Sequence, residues 1–369
     1  MKDTGSVLIV GAGAIGRGFI APVLSEQGYK IHFADNDDCL VSLFQDRNIK
    51  TYVTAFSSPE GYDFKKIHYG WCYHIDRLDF DHTPPRFVVF AVGMKNLIDA
   101  ATKVAAAFSG GPYPGAIYTV ENDPASVEML NEVFNEVAPV YFGVPDVITS
   151  NEAPERLEKL DPLCLCSEVG ELYLEGNCLH GEVTGYDDDY VRTHWICKKY
   201  LHNTPHAALA YCGAVRGHRY IHEAAADFQI GKIVESLMSG IQEVLEQKYQ
   251  IDGVFLKEYA AKEISRFRNA ALHDPISRVG RNPDIKLKPE ERIVHIAELF
   301  LEYQIDLTSF GKLISDALDY PLCEALETDR AKMTFPALLE KYTGLAPESP
   351  IGREVLAQRK VPSQPEPIS

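Results

Sequence analysis

Residues 6–16 read Ser-Val-Leu-Ile-Val followed by Gly-Ala-Gly-Ala-Ile-Gly: an apolar run breaking into glycines at G-x-G-x-x-G spacing, just ahead of a helical pattern. No other feature constrains the fold as strongly. Strand, tight turn and helix in that order open a parallel sheet with crossover helices. Gly11 permits the turn, Gly13 lets a pyrophosphate approach the backbone, and Gly16 lets the helix lie close to the strand. Ala12, Ala14 and Ile15 complete the loop, and the free N–H groups of the helix start suit an anionic ligand.

The pattern continues as that opening requires. Ile15–Gln27 reads as a helix closed by Gly28, and Lys30–Ala34 as the second strand. Arg86–Val92, Ala116–Val120 and Val140–Gly143 read as later strands, with helices at Lys95–Phe108 and Pro124–Val137 between them. Alternation in Leu163-Cys164-Leu165-Cys166 and Leu172-Tyr173-Leu174 suggests further strands before His180. Past the acidic cluster Asp187-Asp188-Asp189 the period changes. Ile230, Ile233, Val234, Leu237, Met238, Ile241, Val244 and Leu245 then mark one long amphipathic helix. The expectation is an α/β chain: a Rossmann-type, doubly wound N-terminal domain over 1–187 and a mostly α-helical C-terminal domain over 188–369, frayed from about 357, where Pro362, Pro365 and Pro367 fall.

Asp35 follows the second strand nineteen residues after Gly16, close to the spacing of a carboxylate that accepts from adenosine ribose hydroxyls. Asn36 lies beside it, and no Lys or Arg occurs between Ile31 and Asp46. A 2′-phosphate would be repelled there, so NAD is expected rather than NADP. Val92 and Gly93 supply small backbone where the dinucleotide should lie, and Glu121 and Asn122 stand at the end of the next strand.

Thirty-six basic against fifty-three acidic residues give a net charge of −17. Such a chain is a poor general binder of nucleic acid or anionic membrane, since phosphate backbones are held by clustered Lys and Arg. No run of 18 apolar residues and no signal-peptide core appears. The eight cysteines, without a CxxC pair, read as reduced thiols in a cytoplasmic protein, monomeric or homo-oligomeric.

Lys198, Asn203 and His206 fall at offsets 0, +5 and +8 around Pro205. A proline is poorly placed inside a helix but suits a first helical turn. One helix is therefore expected to end near Leu201 and another to start at Pro205 with Thr204 as cap, turning the three side chains toward one pocket. His202 and His206 are four apart, but that break and the lack of HExxH or a cysteine pair argue against a metal site.

These motifs have a familiar order. Gly-Ala-Gly-Ala-Ile-Gly-Arg-Gly-Phe at 11–19, Glu121-Asn122, the Lys198 segment and Arg278-Val-Gly-Arg-Asn-Pro-Asp-Ile-Lys-Leu287 resemble the polyol-specific long-chain dehydrogenases over residues 5 to about 310. The resemblance implies catalysis without metal in a cleft between a dinucleotide domain and a helical domain. Lys198 would be the general acid/base, Asn122 and Asn203 the donors to the developing alkoxide, and His206 a further donor that orients substrate. The phosphate-acting branch is the nearer match, which implies interconversion of mannitol 1-phosphate and fructose 6-phosphate. Residues 262–292 carry eight basic against five acidic side chains, and Arg278, Arg281 and Lys286 would hold the substrate's phosphate. Two positions depart from the group: Ile285 replaces a basic residue, and Trp195 stands where an acid often precedes the lysine. A hexonate (altronate- or tagaturonate-type) or free-polyol dehydrogenase is the alternative, and a non-catalytic NAD-binding redox sensor the remote one.

Overall fold

The computed structural model describes residues 5–58, 61–80, 84–108, 115–135, 137–176 and 185–359. They form two compact units. Unit 1 comprises residues up to Trp195 together with Ala271–His273, and unit 2 comprises Ile196–Ala270 and Asp274 onward.

Unit 1 is built on strands β1 (Ser6–Val10), β2 (Lys30–Asp35), β3 (Thr51–Ser58), β4 (Gly61–His74), β5 (Phe87–Phe90), β6 (Ala116–Thr119), β7 (Val140–Asp146), β8 (Cys166–Ser167), β9 (Glu171–Glu175) and β10 (Gly185–Tyr186). Their order in one sheet is β10-β9-β7-β6-β5-β1-β2-β4-β3-β8. From β7 through β6, β5, β1 and β2 to β4, neighbours run parallel. That is the doubly wound order, and its direction reverses between β1 and β5, where such sheets bind ligands. Val7–Val10 are fully buried. Val7 and Ile9 join the core on one face, and Leu8 and Val10 the core on the other. This explains why β1 is apolar throughout rather than alternating.

The helices α1 (Ala21–Glu26), α2 (Asp38–Gln45), α3 (Leu97–Ala107), α4 (Ala125–Phe134) and α5 (Glu155–Leu160) belong to this unit. The hairpin of β3 and β4 pairs antiparallel from Thr51↔His68 to Ser58↔Gly61, in a stretch where the sequence reading placed nothing. Leu163–Leu165, expected as strand, are not; only Cys166–Ser167 pairs, with β3. The Leu172–Leu174 strand is present within β9, while residues 177–180 of that reading lie outside the described residues.

Unit 2 is helical. Helix α6 (Asp188–Cys197), whose residues up to Trp195 fall in unit 1, continues as a π-turn over Lys198–His202 and then as α7 (Asn203–Val215), whose residues Thr204–Gly213 are all buried. Against α7 pack α8 (Ile221–Ala226), α9 (Phe228–Tyr249), α11 (Ile276–Gly280) and α14 (Thr308–Leu318), and the unit also holds α10 (Gly253–Phe267), α12 (Pro283–Lys286) and α13 (Val294–Glu302). The expected long helix is α9, capped where Asp227 accepts from the amides of Gln229 and Ile230. A last helix covers Pro350–Arg359, so 357–359 are helical, and the remaining expected tail lies outside the described residues.

The break expected at Pro205 does not occur. Asn203 N–H bonds to Lys198 O, five residues back. This wide turn opens the α-helical ladder just before the residue that has no N–H to give and a ring to accommodate. Thr204 accordingly is not a cap, and its Oγ1 donates to Arg292 O at 3.0 Å. No helix of the described residues is long and apolar enough to cross a membrane.

Candidate active site

In unit 1 the predicted residues gather at the carboxyl ends of β1, β2, β5 and β6. Gly11 has φ +96°, and a Cβ there would stand 2.4 Å from Ala91 O at the end of β5. A Cβ on Gly16 would stand 1.9 Å from Gly11 O, so the turn closes only with glycine at both places. Gly13, by contrast, has nothing within 4 Å of a Cβ position. Its open side lies beside the helical run that starts at Ala14 and continues past Ile15, where backbone N–H groups can meet an anion.

Asp35 is tied to this loop. Its Oδ2 accepts from Ala12 N at 2.7 Å and its Oδ1 from Asp37 N at 3.0 Å. A carboxylate has about four acceptor directions, so two are left for ribose hydroxyls. The Asn36 side chain is exposed, and its carbonyl lies 3.2 Å from His74 Nε2. Glu121, 8 % exposed, is tied to the loop after β5: its Oε1 accepts from Val92 N and Gly93 N, both at 2.8 Å. Those amides are thus engaged by the protein's own carboxylate, which fixes the loop after β5. Asn122 is exposed, and the Trp195 indole donates to its carbonyl at 2.9 Å. The residue that departs from the expected acid therefore holds the asparagine's backbone. Arg17 was not singled out from sequence, yet its guanidinium braces the glycine loop through Ala12 O at 2.6 Å and reaches Leu163 O at 3.1 Å.

In unit 2 the π-turn decides the geometry of the lysine segment. On a regular helix, offsets of +5 and +8 fall about 140° and 80° from the starting residue. One residue absorbed in the wide turn makes +5 and +8 behave as +4 and +7, the spacing of a single face. Lys198, Asn203 and His206 are thereby aligned without any break in the helix. Lys198 and Asn203 are half-buried and His206 is buried.

Beneath that face lie two carboxylates the sequence reading overlooked. His206 Nε2 meets Asp274 Oδ2 at 2.9 Å, and Arg278 Nε and Nη2 both reach Asp274 Oδ1 at 2.7 Å. His202 Nδ1 meets Glu263, which also pairs with Arg266; Glu263 is wholly buried. The two imidazoles are 5.0 Å apart, each committed to a different acid. Among the described residues no three of His, Cys, Asp and Glu gather as metal ligands.

Of the predicted substrate residues, Arg278 lies within α11, Arg281 directly follows that helix, and Lys286 ends α12. Asn282, at φ +57°, turns the chain between the two short helices. Burial, with the charges of Arg292, Arg281 and Arg278 against the lesser pull of Glu291, pushes Lys286 down to about 7. Burial and Arg278 also lower Arg281. Four cations thus crowd one another, Arg292 being the one not named from sequence. Repulsion of that kind is relieved by an anion. Asp274 had a signal in the sequence, an acid four residues ahead of Arg278; its bond to His206, 68 residues away, had none.

Residues 192–324 match the family model described as Mannitol dehydrogenase C-terminal domain. The mannitol-1-phosphate 5-dehydrogenase of Caldanaerobacter subterraneus subsp. tengcongensis is 29% identical over 315 residues, 80% of this chain and 81% of that one. The enzyme of the same name from Thermoanaerobacter pseudethanolicus is 26% identical, covering 95% and 96%. Among solved structures, Pseudomonas fluorescens mannitol 2-dehydrogenase, in a ternary complex with NAD and D-mannitol, superposes with a TM-score of 0.76 at 16% identity, covering 96% of this chain and 92% of that one. A D-sorbitol dehydrogenase gives 0.69 at 14% identity with the same coverage. The resemblance read from the motifs is thus found again across most of the chain, and the fold is shared.

Proposed function

We propose that this chain, whose residues 192–324 carry the Mannitol dehydrogenase C-terminal domain, is an NAD-dependent polyol oxidoreductase whose substrate is phosphorylated, interconverting mannitol 1-phosphate and fructose 6-phosphate. The observation that carries the phosphate is the cluster of Arg278, Arg281, Lys286 and Arg292, in which burial first, and then the three arginine charges, lower the Lys286 ammonium. It is a local concentration of positive charge in a chain of net charge −17. The names of the curated relatives point the same way.

NAD, when bound, supplies the acceptor for the hydride that leaves the substrate carbon. The glycine loop at 11–16 would hold its pyrophosphate, and Asp35 its adenosine ribose. The protein's own part is proton transfer and charge stabilisation. Lys198 takes the hydroxyl proton during oxidation and returns it during reduction. The amide of Asn203, on the helix face it shares with Lys198, donates to the oxygen as it gains negative charge, adding no net charge itself.

Initial rates with NADH and fructose 6-phosphate, fructose or tagaturonate test the reading. Fructose 6-phosphate should have the highest kcat/KM; parity with fructose would refute a phosphate site, and a preference for tagaturonate would make the enzyme a hexonate dehydrogenase. Lys198→Ala should bind NAD as before and lose turnover by at least about 100-fold, the lower end for a general acid/base.

A further inference from the structure

We infer that Asp274 is a positioning residue that locks His206 in the tautomer with hydrogen on Nε2, so that His206 presents Nδ1 to the substrate as a hydrogen-bond acceptor, and that the same carboxylate orients the Arg278 fork. The inference rests on the dehydrogenase reading and deepens it, because it reverses the polarity expected of His206 from sequence.

The geometry leaves little freedom. Asp274 is 4 % exposed, and its two oxygens face different partners: Oδ2 toward His206 Nε2 at 2.9 Å, Oδ1 toward Arg278 at 2.7 Å. Burial alone would raise this carboxyl, but Arg278 and the His206 bond hold it down to about 2. An ionised carboxylate only accepts, so the hydrogen between the two residues belongs to Nε2. Burial pushes His206 down to about 4, against the opposing pull of Asp274 and with the aid of His202 and Arg278. The ring is neutral near pH 7, and a neutral imidazole protonated at Nε2 has a lone pair at Nδ1. Phe267 stacks on the ring at 5.1 Å and fixes its plane. The backbone of Asp274 is also anchored, its carbonyl accepting from Ile221 N at 3.0 Å. A polyol offers hydroxyl donors on the carbons flanking the reacting one, and a fixed acceptor selects among them by geometry. Through Asp274, whatever Arg278 binds also bears on the ring that reads those hydroxyls.

Asp274→Asn replaces an obligate acceptor by a group that also donates. With its NH2 turned to Nε2, the amide moves the ring hydrogen to Nδ1 and sets two donors against each other at the substrate. Two measurements decide. The imidazole 15N spectrum of the intact protein, assigned with His206→Gln, should show Nδ1 bare and Nε2 protonated from pH 6 to 8. Asp274→Asn should keep its affinity for NAD and lose about ten- to hundredfold in kcat/KM, the cost of one mismatched buried hydrogen bond, while Asp274→Glu recovers part. A spectrum with hydrogen on Nδ1, or undiminished kcat/KM in Asp274→Asn, overturns the assignment. Should the asparagine variant not fold, the wild-type spectrum alone decides. A wild-type protein that turns over no polyol or ketose refutes the dehydrogenase reading instead, and leaves the tautomer to the spectrum.

Discussion

Asp35 and Lys286 show how much one side chain can be asked to do. Asp35 holds Ala12 N, which shapes the glycine loop, and it is the acceptor nearest the expected ribose. Asp35→Ala should therefore weaken NAD by about 10- to 100-fold, the range for a hydrogen bond to a charged group. NADP, which that carboxylate repels, should lose less. Calorimetric titration of both nucleotides checks this, and an unchanged ratio would remove Asp35 from the cofactor site. For Lys286 the sign follows from its lowered value of about 7. The ammonium is present below that pH and lost above it, so KM for a phosphorylated substrate should rise as pH climbs through 7, while KM for an uncharged ketose stays flat. Lys286→Met should raise KM for the phosphorylated substrate by roughly tenfold or more and abolish its pH dependence. Stability runs the other way. Between about 7 and 10.5 the unfolded chain binds more protons at this group than the folded one, so the empty protein gains stability as pH rises through that window. Lys286→Met should remove this slope and raise the melting midpoint of the ligand-free protein at pH 7.

At the scale of an element, the π-turn at Lys198–His202 and Pro205 form one device. Deleting Lys199 closes the turn into a regular helix, which keeps Lys198, Asn203 and His206 on one face but puts Pro205 inside an unbroken hydrogen-bond ladder. The cost of a proline there is about 3 kcal/mol. Denaturant unfolding should show the deletion destabilised by that order, and Pro205→Ala in the same background should recover most of it. If the two changes prove additive, the turn and the proline are independent. This device also marks the limit of what the sequence discloses. A proline after a lysine and a histidine signals a helix end by every local rule, and only the extra residue of a π-turn, which has no composition of its own, lets the helix continue. The β3–β4 hairpin escaped for a related reason. In Gly61–His74 only Ile67, Tyr69 and Cys72 are buried, and a bulge between the Ile31 and Phe33 pairings shifts the register. The alternation of Ile67, Tyr69, Trp71 and Tyr73 therefore does not coincide with the buried side, which passes to Cys72 beyond the bulge. β1, β5 and the long α9 were legible because burial on two faces, or on one helical stripe, leaves a run no solvent-exposed segment imitates.

For the whole molecule, two kinds of charge distribution coexist: an overall excess of 17 negative charges and a basic cluster confined to residues 278–292. The doubly wound, parallel character of the sheet could be anticipated from the alternation of strands and helices, whereas the edge formed by β4 and β3 could not. The cation cluster was legible only in part: Arg278, Arg281 and Lys286 stand in one motif, whereas Arg292 joins them by the path of the chain after Pro289. Since the residues proposed for the dinucleotide lie in unit 1 and those proposed for proton transfer and phosphate in unit 2, the two ligands should leave separable marks. A ligand that binds only the folded state stabilises it by about 2.7 kcal/mol at a free concentration roughly 100-fold above its Kd. NAD at that level should raise the unfolding midpoint and slow hydrogen exchange at residues 11–17 and 35–37. Inorganic phosphate should slow exchange at 278–292 and leave the glycine loop unprotected, and Lys286→Met should cancel that effect without altering the response to NAD. Protection by phosphate at the glycine loop instead would mean that the basic cluster is not where this chain reads an anion.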